Sequence, residues 1–408
     1  MRICVLFLIL FILPQWAFAT PNRVAALGGS IAMLPDDDTN IDLFPQHINR
    51  WNLVMLSGID SGTPNYAIVI GEPGDKWGLY GGQGQVDDFF NLYRSIDANS
   101  AIRISMQLSR HDHEVSNNNN EDAPGNSSQT EENKYNNIDL QARYGINVGE
   151  QEMAAFFRFA YGPGTVGNLA FENLIGDYSS NSTTGTTKSS SSGDAKQTVF
   201  QIGVNLRRQI GFKLLNKVFA AATLTRTSGE SNFSTDTTII RDEDESSISA
   251  SGALMLFTEK RIAENSRLIY GVGASGSVTS SEGKDKINDT SFDSKSLLIV
   301  SPQIRLGLET DIKFGKLRFG LQRDLNFLFY RDRDSKIQSG TNSDSNGEKR
   351  FDFLQNGSYT FTSGIGFEYK KLAIDLTLNN QIWTSGPQML FDTGNGGIGV
   401  SADVIYTY

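Results

Sequence analysis

Apolar and polar residues alternate with period two along most of this chain, the pattern of strands whose two faces meet different surroundings. In 316–330, Leu317, Phe319, Leu321, Leu325, Phe327 and Phe329 fall on one face. Arg318, Gly320, Gln322, Asp324 and Asn326 fall on the other, and only Arg323 interrupts the apolar set. Segments 371–379, 138–148 and 102–109 repeat the pattern. In the last of these Ile102, Ile104, Met106 and Leu108 oppose Arg103, Ser105, Gln107 and Ser109. The pattern predicts strands near 52–58, 65–71, 77–84, 88–96, 100–114, 136–148, 152–161, 196–209, 216–226, 247–258, 266–278, 295–311, 316–330, 357–369, 371–380 and 396–408.

Alternation alone also fits a soluble sandwich, so connection length has to discriminate. From the fourth predicted strand onward, short turns (97–99, 149–151, 210–215, 259–265, 312–315, 370) alternate with long polar loops (115–135, 162–195, 227–246, 279–294, 331–356, 381–395). That rhythm belongs to a membrane barrel, with tight turns at the periplasmic rim and long loops outside. An open sheet edge is untenable in lipid, so the sheet must close. The expected fold is all-β: a transmembrane antiparallel β-barrel of about 16 strands with short periplasmic turns and long extracellular loops. The first three strands are short and weakly patterned, which leaves a count of about 14 open. The low-complexity loops, such as 178–194, have little apolar area to bury and are expected to be mobile.

Residues 1–19 form a separate unit. Arg2 precedes a nearly continuous apolar run, and Ala17-Phe18-Ala19 supplies a small-x-small cleavage site, so a signal peptide cut near Ala19 is expected. Residues 20–50 are then a periplasmic segment or a plug for the lumen, and residues 51–408 are the barrel. Apart from that run, nothing approaches the length of a transmembrane helix.

Composition narrows the function classes. The one cysteine, Cys4, lies in the signal region, leaving no disulfide or thiolate metal site after cleavage. The formal charge of −10 becomes −11 when Arg2 is removed, a poor balance for nucleic-acid binding. Forty glycines fit strands and turns better than helices. Only His47, His111 and His113 could serve as an imidazole base. No serine stands out as a nucleophile, so no enzyme, outer-membrane hydrolase included, is expected. The pair in His111-Asp112-His113-Glu114 has no third ligand placed by sequence, and no metal or cofactor is assigned. Asn342 to Gly347 begins like a calcium loop, but Phe353 stands where the closing carboxylate belongs.

The last residues, VSADVIYTY, place Val400, Ala402, Val404, Tyr406 and Tyr408 on one face. This resembles the C-terminal strand of bacterial outer-membrane proteins, which the barrel-assembly machinery recognises in that family; Phe or Trp is the commoner terminal residue there. A second resemblance lies at the N-terminus. Arg23 to Gly29 (RVAALGG), then Asp36-Asp37-Asp38-Thr39-Asn40, then Phe44-Pro45, is similar to the start of FadL-type and PorV-type barrels. In the FadL type this region forms a hatch inside the lumen. The resemblance marks Gly28, Gly29, Asp36, Asp37 and Asp38 as plug candidates, and Val404, Tyr406 and Tyr408 as the assembly signal.

The polar strand faces carry Arg103, Asp139, Arg143, Arg158, Arg207, Arg305, Glu309, Arg318, Asp324, Glu368, Asp375 and Asp403, which would line the lumen. They form either a wall that selects solutes or a self-paired network that fills the interior or seats a plug. Aromatics near strand ends, Trp77, Tyr80, Tyr144, Tyr161, Tyr330, Tyr359, Tyr369, Trp383, Tyr406 and Tyr408, would form girdles at the headgroup level. The expected function is passage of small solutes or an apolar ligand across the outer membrane. The alternative is a non-transporting structural, adhesive or secretion-partner barrel. Expected partners are outer-membrane lipid and the barrel-assembly machinery.

Overall fold

The computed structural model describes residues 21–28, 31–35, 37–58, 65–83, 87–117, 129–162, 177–184, 187–235, 238–287, 290–339, 342–355, 359–378 and 400–408. The signal region, Gly29, Asp36 and Trp383 therefore lie outside the described residues.

A short helix, α1 (Pro21–Ala26), opens the described chain and is followed by 3-10 turns at Ile31–Met33, Asp38–Asp42 and Pro45–Arg50. Proline suits the first position of both α1 and the last turn, because its missing N–H has no partner there and its φ is preset for a helix. The strands then run β1 (Leu53–Ser57), β2 (Asn65–Glu72), β3 (Asp75–Gln83), β4 (Asp87–Asp97), β5 (Ser100–Asn117) and β6 (Gln129–Val148). Next come β7 (Gln151–Tyr161), β8 (Asp177–Thr184), β9 (Thr187–Gln209), β10 (Lys217–Thr235), β11 (Thr238–Ala263) and β12 (Ser266–Asp285). The last are β13 (Thr290–Ile312), β14 (Gly315–Ser339), β15 (Asn342–Gln355), β16 (Tyr359–Tyr369), β17 (Leu372–Leu378) and β18 (Val400–Thr407).

Every strand pairing among the described residues is antiparallel, and β1 pairs with β18, so the sheet closes on itself. The 18 segments make 16 staves. β7 and β8 both lie between β6 and β9, one above the other. β15 and β16 both run along β14. The fold is a closed 16-stave transmembrane antiparallel barrel, and no helix among the described residues is long and apolar enough to cross a membrane.

Burial alternates with the strand period. On β2, Tyr66, Ile68 and Ile70 are exposed while Ala67 and Val69 are buried; on β9, Phe200, Ile202 and Val204 are exposed while Val199, Asn205 and Arg207 are buried. The exposed set is apolar because the outer face meets hydrocarbon. Trp77, Tyr144, Tyr161, Tyr359, Tyr406 and Tyr408 are exposed aromatics of this face. Tyr80 departs from the girdle, since it lies on the buried side of β3 among Ile48, Leu53 and Val69.

Two expectations need correction. The polar segments 227–246, 279–294 and 331–356 are largely strand. The β10–β11 ladder runs to Thr235–Thr238, β12–β13 to Asp285–Thr290, and β14–β15 to Ser339–Asn342. Residues 178–184 and 187–194, expected to be mobile, likewise pair as β8 and β9. About 9–11 residues of a tilted strand cross a bilayer, so strands of 19 to 26 residues such as β10 and β11 project well beyond it. Once a ladder exists, each further pair closes its backbone hydrogen bonds without needing an apolar side chain, so Ser/Thr-rich sequence can extend it into water. Asn342 to Gly347 is part of β15, an extended strand and not a cation loop. The short turns fall as expected, at 98–99, 149–150, 210–216, 264–265, 313–314 and 370–371.

Candidate functional site

The described residues of 22–50 lie against inward-facing side chains of β4–β6, β9, β13 and β16–β18, so they are enclosed by the sheet. Asn22 N–H donates to Asp403 Oδ2 at 2.7 Å on β18, and Thr377 Oγ1 on β17 donates to Asn22 O at 2.7 Å. Arg23 Nε meets Glu309 Oε2 at 3.1 Å on β13, and Arg23 Nη1 lies 3.5 Å from Asp37 Oδ2. Thr362 Oγ1 on β16 donates to Ala26 O at 3.2 Å. Arg207 Nη1 on β9 donates to Asn40 Oδ1 at 2.7 Å and to Ala32 O at 3.3 Å. On the opposite wall, Tyr93 Oη donates to Asp42 Oδ1 at 2.7 Å, and Arg143 Nη1 donates to Asp42 O at 2.6 Å. Arg103 Nη1 lies 3.2 Å from the Asp42 carboxylate.

The lower end of the segment reaches the short-turn rim. Asn49 Nδ2 donates to Asp97 O at 2.9 Å, and Gly74 N–H donates to Asn49 Oδ1 at 2.8 Å. His47 Nε2 stands 2.8 Å from Glu152 Oε1, a carboxylate shared with Arg50 and Arg207. Burial pushes the imidazole pKa down to about 4; the Glu152 hydrogen bond opposes this, while the Arg50 and Arg207 charges add to it. His47 is therefore neutral at pH 7, with its Nε2–H donated to Glu152. The Arg23 guanidinium is also buried, which alone would lower its pKa, but the Glu309, Asp37 and Asp375 carboxylates outweigh burial and raise it.

Two apolar clusters complete the seating. Val24, Leu27, Met33 and Leu34 pack with Met255, Phe257 and Ile269. Ile48 packs with Leu53, Met55, Ala67, Val69, Tyr93, Ala101 and Ile405. Inward apolar residues thus lie in two arcs, on β11 and β12 and on β1 and β2, the second where the strand pattern was weakest. Glycines admit the chain elsewhere. Gly28 has φ +93°, a conformation that disfavours L side chains, and a Cβ on it would stand 3.3 Å from Leu306 O. A Cβ on Gly320 of β14 would run into Gly28 N and stand 2.7 Å from Ala26 O.

The inward charges predicted from alternation divide into two sets. Arg103, Arg143, Arg207, Glu309 and Asp403 contact the N-terminal segment directly, and Arg318 joins Glu309 (Nε–Oε2 2.6 Å) to Asp375 beside it. The others pair along the wall: Arg158 with Asp139 (Nε–Oδ1 3.0 Å), Arg305 with Asp324 (Nη1–Oδ1 2.5 Å) and Glu368 with Lys316 (2.6 Å). Of the segment's predicted residues, Gly28 and Asp37 are buried, and the side chain of Asp38 lies outside the described residues. Val404 and Tyr406 share the outer face of β18, and Tyr408, one residue past its end, is exposed with its hydroxyl donating to Val69 O at 3.0 Å. The side chains of His111 and His113 lie outside the described residues, and no cluster of metal-ligating groups occurs among the described ones.

Sequence reasoning missed Asn22, Asp42, Gln46 and Glu152. Glu152 was within reach, since it shares parity with Arg158 on β7. Asp42 and Gln46 lie in 3-10 structure, where no period assigns a face.

No family model and no curated protein matches the chain. Solved structures resembling it include the ferric yersiniabactin uptake receptor from Yersinia pestis, at 8% identity over 87% of this chain and 80% of that one, TM-score 0.34. The unliganded ferric citrate transporter gives 9% identity over 87% and 78%, TM-score 0.39. A copper transporter gives 9% over 87% and 80%, TM-score 0.33. Likeness at this level assigns neither family nor substrate. The barrel itself, a closed antiparallel sheet with an apolar outer face, has the architecture of bacterial outer-membrane proteins.

Proposed function

We propose that this chain is an outer-membrane channel or transporter for small solutes, with residues 20–50 acting as a plug at its periplasmic end. One observation carries the reading: the segment 22–50 is hydrogen-bonded to inward side chains from β18 round to β9 and β13, inside the closed sheet. A barrel of about 16 strands is wide enough to leave an aqueous path unless something fills it. The inward charges then serve chiefly to seat the plug, since each candidate contacts it or pairs with a neighbour. The resemblance of residues 23–45 to the FadL-type hatch supports the same reading. Export by a peptide cleaved near Ala19, and recognition of the β18 end by the barrel-assembly machinery, belong to the proposal too.

The test is planar-bilayer conductance of the full chain beside a form lacking residues 20–50. The truncated form is expected to open discrete channels, and the full chain to open fewer or smaller ones. Heat-modifiable migration on gels verifies that the truncated barrel has closed. Silent bilayers from a closed, truncated barrel would favour the structural alternative.

A further inference from the structure

A polar cavity of about 330 Å³ lies inside the wall, bordering Asp42 of the N-terminal segment and the inner faces of β3–β7. Its composition is specific. Strand register sets Tyr80 beside Asn91, Asn91 beside Ser105, Ser105 beside Gln141, and Gln141 beside Arg158. Directly opposite residues of an antiparallel ladder share a face, so these five form one row of hydroxyl, amide and guanidinium groups. The row continues beyond the cavity through Gln201, Thr225, Ser249 and Thr279, with Gln201 Nε2 donating to Thr225 Oγ1 at 3.2 Å. Arg103 lies one step along the ladder, side by side with Arg143.

Arg103 and Arg158 of the lining meet Asp42 and Asp139, and Arg143, opposite Arg103 in the ladder, stands just outside it with Nη1 on Asp42 O, so a third guanidinium adjoins a lining whose own charges balance. Not all the donors are used. Arg103 Nε and Ser105 Oγ belong to residues lining the cavity, are buried, and have no hydrogen-bond partner. Arg103 is itself only 9% exposed. A buried donor without a partner demands an acceptor. Arg103 gives Nη1 to Asp42 and Nη2 to Gln141 Oε1, so its Nε–H is the open donor, a charge-assisted match for one carboxylate oxygen, and amide and hydroxyl side chains match the hydroxyls of a polyol.

We propose that this cavity binds a small hydroxylated monocarboxylate of sugar-acid size, the carboxylate on Arg103 and the hydroxyls along the row from Asn91 to Gln141. Its part in transport rests on the channel reading above; the binding itself does not. The site would hold the solute against the plug at Asp42.

The test is isothermal titration calorimetry on the detergent-purified full chain with glucuronate, glucose and acetate as probes. Glucuronate is expected to bind saturably, with glucose and acetate each roughly tenfold weaker or more, because each lacks one half of the recognition. Ser105→Phe fills the row without removing a contact to the plug, and is expected to cost at least roughly tenfold in glucuronate affinity with heat-modifiable migration intact. Arg103→Gln should weaken binding as well, although it also loosens Asp42. Absence of saturable glucuronate binding, equal binding of glucose or acetate, or unchanged affinity in Ser105→Phe would each overturn the proposal. Binding together with silent truncated barrels would remove the transport reading and leave the site. Channels without binding would do the reverse.

Discussion

Arg23→Leu isolates the charge contribution to seating, because leucine keeps apolar contact and removes the guanidinium. The Arg23 side chain is 3% exposed and meets Glu309, 4% exposed, at 3.1 Å. Removing one partner of a buried ion pair costs about 3–5 kcal/mol, mostly the penalty on the charge left behind. Here Glu309 keeps Arg318 at 2.6 Å and Arg267 at 2.6 Å, so the lower end of that range applies. At about 1.4 kcal/mol per decade, a loss of about 3 kcal/mol raises the unseated population about a hundredfold. Amide hydrogen exchange reads that population directly when reclosing is fast. The useful probes are Leu27 N–H, donated to Arg23 O at 3.1 Å, and Phe44 N–H, donated to Asn40 O at 2.8 Å. Both should exchange about a hundredfold faster in the variant, with amides of β12–β14 unchanged. Acceleration below roughly threefold, or equal acceleration in the wall, would refute the idea that this ion pair holds the segment.

Three further outcomes are expected. The His47 imidazole has a pKa of about 4 when seated and 6.5 when exposed, so seating is fully stabilised above pH 6.5 and weakens as the pH falls from 6.5 to 4. The loss totals about 3 kcal/mol; exchange of amides 45–50, corrected for intrinsic rates, should show it, and His47→Gln should flatten the profile. Gly320→Ala should displace the turn at Gly28, costing about 1–3 kcal/mol. Trypsin would then cut at Arg23 in a barrel that still shows heat-modifiable migration, while Gly211→Ala, where a Cβ meets nothing within 4 Å, serves as the neutral control. Val204→Arg puts a charge on the outer face, where Val204 is 53% exposed. It should destabilise folding into lipid vesicles by up to about 2–4 kcal/mol, and equal stability of variant and parent would contradict the lipid-facing assignment.

The barrel was legible because two signals are local. Period-two alternation names the outer face, as for Leu321 and Phe327 against Arg318, and connection length names the short rim, as at 370, where Lys370, with φ +55°, and Lys371 make a two-residue turn. Strand length was not legible. Hydrophobicity reports only the stretch in lipid, whereas a ladder stops where its partner stops, and the partner of Thr235 is Thr238 across a two-residue gap. Polar sequence beyond the membrane therefore reads as loop even where backbone pairing continues.

The segment inside the barrel was half legible, and the reason changes how the weak strands should be read. β1 and β2 carry LVMLS and YAIVI, apolar on both faces, which blurs the alternation used to count strands. Their outer residues Val54, Leu56, Ile68 and Ile70 are exposed, and their inner residues Leu53, Met55, Ala67 and Val69 pack with Ile48. A spanning strand whose inner face met water would have no use for apolar residues there. Loss of alternation in one arc of a barrel thus marks the arc that something apolar covers from within. Ile48 and Trp51, immediately before β1, are the nearest apolar groups in the sequence that could do so. The weakness of these strands, which made their number uncertain, was itself the sequence's record of the segment they enclose.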